Sequence, residues 1–323
     1  MSYYTRALKY RLPLMRGEDV LKLQMHLREL GYAMVGQPDG LFGPRTETAV
    51  HTFQQSRGLK ADGTVGPITW TALFEDAPSH TGASPDTAVE SNTALEKVEA
   101  VLTELAQRHS YRDSSLSWYL SARGLVTINP DASEADEGEL EISGGEPHTV
   151  RRVWQNFSTP VEEWASKFGV PIELIIATIC TETRGDPSAV REEPGYISDA
   201  QTPNKVSPGL MQTLISTAQD VLGDDTIDRT WLLVPGNSIR AGTAYIARQW
   251  KTTHFDPPKV ACAYNAGGIY YNASSENRWK MRQYPINSSE HADRFVKWFN
   301  DCFLMFYADN LSPRLSLFRR LQA

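Results

Sequence analysis

Apolar side chains in several stretches of the chain recur every three or four residues, which is the spacing of one face of a helix. From Gly17 to Tyr32 this face carries Val20, Leu23, Leu27 and Leu30, and Gly31 is placed to stop the helix. The same period returns near Ala49, Val50 and Phe53, and again at Leu95, Val98, Val101, Leu102 and Leu105. The pattern predicts a mainly α-helical protein.

The helix around which the rest is organised lies in residues 171–190. Its apolar positions are Ile172, Ile175, Ile176 and Ile179. Glu182 follows Ile179 by three residues, so its carboxylate projects from the apolar stripe. Gly185 can supply a left-handed cap and Asp186-Pro187 stops the helix, which places Glu182 in the last turn.

An acid at such a position is a candidate proton donor. Desolvation disfavours the ionised carboxylate and raises its pKa toward neutral pH, where a general acid must hold its proton. The simpler alternative is that Glu182 reaches the surface or pairs with Arg184 or Arg191, because ordinary ion pairs also perturb carboxylates.

The first 74 residues contain an internal duplication. Two DGxxGPxT segments, Asp39 to Thr46 and Asp62 to Thr69, start 23 residues apart. Each Asp-Gly predicts a tight turn and each Gly-Pro the start of a short helix. Residues 75–93 are rich in Ser, Thr, Pro, Ala and Asp, which is typical of an extended or flexible linker acting as a hinge. Residues 94–323 then form a larger helical domain.

Two details of that larger domain are also predicted. Thr159 and Glu162 make a capping box with Pro160 at the first helical position, so a helix is expected to begin there. Residues 133–147 are acidic and turn-rich, which indicates a solvated surface loop.

Composition restricts the partners. The 323 residues are 41% hydrophobic and carry a formal charge of −7, so neither nucleic acid nor an anionic membrane is favoured by charge, and a neutral or zwitterionic polymer is a more natural partner. No stretch approaches the ~20 apolar residues of a membrane span. The N-terminus has no uninterrupted apolar core of a signal peptide, so we expect the protein to be made and left in the cytoplasm. We also expect it to be a monomer. Three widely spaced cysteines are expected to be buried thiols: Cys180, Cys262 and Cys302.

The repeats resemble a known family. The segments LQxxLxxLGY, DGxFGPxTxxAVxxFQxxxGL and DGxVGPxTW, which cover residues 16–73, are similar to the three-helix peptidoglycan-binding domain of cell-wall enzymes. The resemblance implies a glycan or stem-peptide groove near Asp39, Phe42, Gly43, Thr46, Asp62 and Trp70. The alternative is that these residues only build turns and core.

Motifs behind Glu182 carry a second resemblance. Glu182-Thr183 is followed by GLMQ at residues 209–212, by NSIRAG and by AYNAG, an order that resembles lytic transglycosylases and goose-type lysozymes over about residues 159–298. The resemblance implies a lysozyme-like helical domain with Glu182 as single catalytic acid/base and Tyr264 as a nearby hydroxyl. It further implies that Thr183 contacts substrate, that Met211 and Gln212 line sugar subsites, and that Asn265 supports the same wall.

The implied reaction needs neither metal nor other cofactor. Cleavage of the β-1,4 bond between N-acetylmuramic acid and N-acetylglucosamine requires a proton on the leaving oxygen and stabilisation of an oxocarbenium-like centre. Leu214 stands where goose-type lysozymes have an aspartate, which favours an anhydro-sugar product over hydrolysis. Asp199, Glu192 or Glu193 is the alternative source of a second carboxylate, although solvated loop charge is the simpler interpretation.

Together the motifs resemble a modular bacteriophage endolysin that acts on cell-wall glycan strands once it is released from the host cytoplasm. A hydrolytic muramidase and a non-catalytic wall-binding or virion module remain alternatives. The tail from Leu311 to Ala323 alternates arginines with apolar residues and is expected to pack on the catalytic domain rather than to contact an anionic membrane.

Overall fold

The computed structural model describes residues 6–74 and 96–322, apart from residues 12, 58, 134, 145 and 146. Helices dominate, as predicted. In chain order they are α1 Glu18–Glu29, α2 Pro44–Ser56, α3 Pro67–Phe74, α4 over residues 96–105, α5 His148–Phe168, α6 Ile172–Thr183, α7 Ile215–Leu222, α8 Arg229–Leu232, α9 Pro235–Arg248, α10 Trp250–Thr253, α11 Pro257–Ala266, α12 Glu290–Ala308 and α13 Leu317–Leu321.

Two short antiparallel hairpins, which the helical period did not predict, complete the fold of the described residues. The first pairs β1, Ser117–Ser121, with β2, Gly124–Ile128, and its register sets Ser117 opposite Ile128. The second pairs β3, Val190–Glu192, with β4, Val206–Pro208. This second hairpin pairs the chain that leaves α6 with the strand directly before the GLMQ segment, so it holds the two segments side by side.

Helices α1 to α3 form a small N-terminal unit with its own apolar core. Leu23 and Leu27 of α1 pack with Phe53 of α2 and Trp70 of α3, all buried. Gly43 in extended conformation precedes Pro44 at the first position of α2, as the Gly-Pro signal predicted. The packing of one apolar face from each helix accounts for the stability of the unit.

A buried glutamine braces each turn of the duplication. The Gln24 side-chain carbonyl accepts hydrogen bonds from the backbone N–H groups of Asp39 and Gly40 at 3.0 and 2.8 Å, and its amide donates to Thr46 at 3.0 Å. Gly40 has a φ of 72°, which glycine adopts without strain. The second turn repeats the arrangement with Gln54, Asp62, Gly63 and Thr69.

The linker predicted for residues 75–93 lies outside the described residues. The two units on either side of it are in contact. Val234, directly before α9, packs into the core of the N-terminal unit. At Gly31 a side chain would point at Pro235 and Phe157 of the larger domain. The N-terminal unit therefore rests on α5 and α9.

Helix α5 corrects the predicted capping box. The helix runs unbroken from His148 to Phe168, with Pro160 inside it rather than at its start. Val153, Phe157 and Val161 form one buried face on both sides of the proline. Because this apolar face spans the whole helix, tertiary packing outweighs the single backbone hydrogen bond that Pro160 cannot donate.

Helix α6 is the centre of the larger domain. Every residue from Ile172 to Thr181 is buried, mainly against α5 and α12. Phe295, Phe299 and Phe303 of α12 belong to the same core. Each fully buried side chain of this size contributes about 1.5–3 kcal/mol, so the position of α6 is strongly determined.

The C-terminal tail packs on the larger domain, as expected, and Glu173 holds it. This glutamate is fully buried on α6 and its carboxylate accepts hydrogen bonds from the Ser316 hydroxyl at 2.5 Å and the Leu317 and Phe318 N–H groups at 3.1 and 3.0 Å. It thus satisfies free N–H groups at the start of α13.

No helix in the described part of the chain is long and apolar enough to cross a membrane.

Candidate active site

Glu182 lies in the last turn of α6, where the sequence predicts it. Arg184 with a φ of 53° and Gly185 with a φ of 85° end the helix in the left-handed conformation. The Glu182 side chain is 17% exposed, whereas the ten residues before it are buried. The only reachable turn of the central helix therefore carries a carboxyl group.

The surroundings favour the protonated form of Glu182. Burial raises its pKa from 4.5 to about 7, and the guanidinium groups of Arg294 and Arg191 oppose this only in part. Arg191 pairs with Glu193 at 2.8 Å, and so the simple alternative of an Arg191 partner for Glu182 does not describe the site. A carboxyl group with such a pKa holds a proton near neutral pH and can still release it.

His291 of α12, which the sequence did not single out, is a titratable neighbour of Glu182. Its Nε2 lies 3.7 Å from Glu182 Oε1, and its side chain is 4% exposed. Burial lowers the pKa of His291 to about 3, with Arg294 and Arg191 acting in the same direction, so the imidazole is neutral. A lone histidine 109 residues after the acid has no sequence spacing that would mark it.

Tyr264 is brought to the same place by α11. Its side chain is 8% exposed, and its hydroxyl donates to the Met211 carbonyl at 2.8 Å and contacts the Thr213 hydroxyl at 2.9 Å. Burial raises the pKa of Tyr264 well above its ordinary value, and the charge of Glu182 adds to this. Tyr264 is thus a neutral hydroxyl near the acid, held by the GLMQ segment.

The hydroxyl of Thr183 is used inside the protein. It contacts the Leu210 carbonyl at 2.8 Å and the Ile179 carbonyl at 3.2 Å, and it accepts from the Gly185 N–H at 3.2 Å. The Thr183 hydroxyl therefore links the end of α6 to the GLMQ segment, and its expected contact with substrate stays a prediction.

Met211 and Gln212 also make contacts within the protein, and only Met211 is fully buried. Met211 is fully buried, and a side chain at Gly242 would come within 2.5 Å of its sulfur. The Gln212 amide donates to the carbonyls of Gly209 and Ala189 at 2.8 and 3.1 Å. The expectation that both side chains line sugar subsites fails for Met211, because it has no exposed surface.

Gly209 explains why this segment begins with glycine. Its φ is 83°, and a Cβ atom there would lie 2.1 Å from the Leu232 carbonyl oxygen. A larger residue would push the segment away from α8 and with it the backbone that holds Thr183 and Tyr264.

Asn265 of α11 contacts both the loop at Tyr284 and His291 of α12. Its carbonyl oxygen accepts from the Tyr284 N–H at 2.6 Å and its amide lies 3.4 Å from His291 Nδ1. Tyr284 itself is exposed. Asn265 therefore joins the helix end after Tyr264 to both the histidine and the exposed loop.

The loop carboxylates considered as second catalytic groups are engaged elsewhere. Asp199 accepts from Arg229 at 2.7 and 2.9 Å, which holds its pKa below the usual range. Glu192 binds the same guanidinium at 2.9 Å. Glu193 pairs with Arg191. All three thus have arginine partners.

The residues expected to line a groove in the N-terminal unit divide into two groups. Phe42, Thr46 and Trp70 are buried, so they build core and turns and cannot contact a wall polymer directly. Asp39 and Asp62 are exposed and Gly43 is half-buried.

A cavity of about 580 Å³ elsewhere in the chain is lined by residues including Asn129, Asp136 and Arg278, and no candidate site residue borders it.

The three cysteines are free and buried, as predicted. Among the described residues, no group of three or more His, Cys, Asp or Glu side chains is placed to hold a metal ion.

Comparison with known families assigns both units. Residues 16–73 match the peptidoglycan binding domain family, and residues 159–286 match the transglycosylase SLT domain family. The chain therefore joins a peptidoglycan-binding domain to an SLT domain. The SLT match contains Glu182, Tyr264 and Asn265 and ends before His291.

Individual relatives share parts of the chain. N-acetylmuramoyl-L-alanine amidase CwlM of Mycobacterium tuberculosis is 30% identical over 175 residues, which are 51% of this chain and 41% of the relative. The zinc D-Ala-D-Ala carboxypeptidase of Streptomyces albus G is 44% identical over 62 residues, 18% and 24% of the two chains. The chain thus spans less than half the length of either protein.

Two solved structures are also similar. An inactive mutant of lytic transglycosylase Slt from Pseudomonas aeruginosa has a TM-score of 0.36 and 12% identity, covering 94% of this chain and 54% of that one. The endolysin of Burkholderia AP3 phage has a TM-score of 0.22 and 17% identity, covering 93% and 99%.

Proposed function

We propose that the SLT domain cleaves the β-1,4 bond between N-acetylmuramic acid and N-acetylglucosamine in peptidoglycan, with Glu182 as its single general acid/base. The observation that carries the proposal is the position of Glu182, partly exposed at the end of a buried helix, where burial raises its pKa to about 7. The SLT family match supports the substrate class.

The chemistry divides into two proton transfers. Glu182 gives its proton to the glycosidic oxygen as the bond from the muramic C1 breaks, and the substrate's own acetamido oxygen stabilises C1. The 6-hydroxyl of the same sugar then bonds to C1 while its proton returns to Glu182. The product is a 1,6-anhydromuramic end, and the enzyme is restored.

One acid suffices for this sequence because water is never activated. The three loop carboxylates have arginine partners, and Leu214 occupies the place where goose-type lysozymes have an aspartate. These features favour transglycosylation over hydrolysis. A hydrolytic muramidase would need one of the three loop carboxylates to be released from its ion pair with arginine.

The N-terminal domain is proposed to bind peptidoglycan glycan strands or stem peptides and to keep the SLT domain at the wall. Of the six residues that the family resemblance implies for a groove, Asp39, Gly43 and Asp62 reach the surface and are the candidates for direct contact. The pairing of a wall-binding with a wall-cleaving domain suits a bacteriophage endolysin that meets the wall of its host after release, and we propose this role.

Product analysis tests the proposal. Purified murein is digested and the released fragments are weighed by mass spectrometry, since an anhydro end is lighter than a reducing end by one water. We expect anhydromuramic products from the native protein and from Glu192→Gln, a matched carboxylate control, and none from Glu182→Gln. Reducing ends would identify a muramidase. Binding without any release would indicate a wall-binding or virion module.

A further inference from the structure

The candidate site contains a buried group that the one-acid mechanism leaves unused. His291 faces Glu182 across 3.7 Å, and Asn265 approaches the other side of its ring at 3.4 Å. Polar side chains that are nearly buried normally have hydrogen-bond partners. The donors and acceptors along Glu182, His291 and Asn265 therefore indicate which atoms carry protons.

The hydrogen bonds determine which ring nitrogen carries the proton. The Tyr284 N–H can only donate, and it lies 2.6 Å from Asn265 Oδ1. This fixes the amide orientation and turns Asn265 Nδ2, a donor, toward His291 Nδ1. Nδ1 must then be the acceptor. In a neutral ring the proton consequently resides on Nε2, which is the nitrogen directed at Glu182.

We infer that His291 is a positioning residue that directs its neutral Nε2–H donor at Glu182 and stabilises the carboxylate formed when Glu182 has given its proton to the sugar. This inference rests on the proposed function and adds a residue to it. The 3.7 Å separation is longer than a hydrogen bond, but catalytic contacts of this kind shorten when substrate is bound and charge develops.

Neutrality of His291 is essential to the role. A charged imidazolium beside Glu182 would favour the carboxylate permanently and leave the enzyme without a proton to donate. The other groups facing the acid are Arg294 of α12, Arg191 of β3 and the Tyr264 hydroxyl of α11. The two arginines disfavour a charged imidazole, and burial keeps it neutral, so His291 remains a donor throughout the working range.

The test compares His291→Leu, which removes the donor, with His291→Gln, which keeps a neutral N–H at similar reach. The activity of the native protein falls as pH rises through the pKa of Glu182. In His291→Leu we expect this fall at higher pH, because the carboxylate has lost a donor, and a maximal rate lower by about 10-fold to 100-fold. In His291→Gln the fall should stay close to that of the native protein.

A control separates this effect from lost stability. Phe303→Leu removes packing from the same helix α12 without touching Glu182, and it should lower the melting temperature without moving the pH profile. A profile of His291→Leu that is unmoved or moved to lower pH overturns the inference, and so does an equal shift in His291→Gln. Activity retained by Glu182→Gln would instead overturn the proposed function itself, so the two failures are distinguishable.

Discussion

Glu182 meets two opposing requirements. In the proposed role its surroundings must be apolar enough to raise its pKa to about 7, yet enough of its side chain, here 17%, must remain exposed for a sugar to reach it. The end of a buried helix satisfies both, since only the last turn of α6 leaves the core. The ionised state of this group is therefore an unfavourable one for the folded protein.

That cost predicts a gain in stability for the Glu182→Gln variant. Folding raises the pKa of Glu182 from 4.5 to about 7, so the folded protein binds more protons than the unfolded chain between these values and loses stability as pH rises across them. Glu182→Gln should therefore be more stable by about 1–3 kcal/mol at about pH 8, with the gain absent at about pH 4. Urea unfolding at both pH values measures this. An equal change at both would contradict the assigned burial.

Individual residues differ in how far the sequence revealed them. Glu182 was predictable because it continues an apolar stripe at helical spacing. His291 was not, because its approach to Glu182 depends on how α12 crosses α6, which no local pattern encodes. Glu173 is similar. Its position in the first turn of α6 gives no sign that it is buried under the tail residues Ser316 and Phe318.

At the scale of elements, hydrogen bonds join α6 and α11 to the GLMQ segment between them in sequence. The Thr183 hydroxyl bonds to the Leu210 carbonyl, and the Tyr264 hydroxyl donates to the Met211 carbonyl in the same segment. The backbone of residues 210–211 thus ties the acid-bearing helix to α11. We infer that this segment serves to hold helices in register, whatever its side chains contact.

Replacing Thr183 tests this connection. Thr183→Val keeps the shape but removes the hydroxyl, which leaves the buried Leu210 carbonyl without its donor and should cost about 1–3 kcal/mol of stability. Thr183→Ser keeps the hydroxyl and should retain both most of the stability and the activity. Thermal melting and murein cleavage, measured in parallel, check the pair. Native behaviour of Thr183→Val would show that the bond carries no weight.

Helix α5 shows where element prediction from local signals fails. The cap signals at Thr159 and Pro160 are real features of the sequence, but a continuous apolar face from Val153 to Val161 outweighs them. Caps contribute about 1 kcal/mol, whereas each buried apolar side chain contributes about 1.5–3 kcal/mol. Helix existence was therefore predictable here, and the helix boundary was not.

At the scale of the whole molecule, the two domains on either side of the predicted hinge are in contact. Val234 lies in the core of the N-terminal domain, although it belongs to the larger domain and directly precedes α9. Gly31 faces Pro235 and Phe157. Neither contact could be predicted from sequence, because each domain is complete in its own periodic pattern.

Removal of residues 1–75 should separate binding from catalysis. We expect weaker binding to insoluble wall and intact turnover of small soluble glycan fragments, since Glu182 and its neighbours are all retained. The melting temperature should fall by a few degrees, because Val234 and Pro235 lose apolar cover. A pull-down with purified murein, a soluble-fragment assay and calorimetry measure the three effects. Equal loss of binding and turnover would show that the domains do not function separately.

The central claim is that one carboxyl group, protonated because it is buried, performs the chemistry. The most direct measurement is the rate of fragment release from a soluble glycan as a function of pH, for the native protein and for Glu182→Gln. The account predicts that native activity falls as pH rises through about 7 and that Glu182→Gln is inactive at every pH. Undiminished release by Glu182→Gln would contradict it.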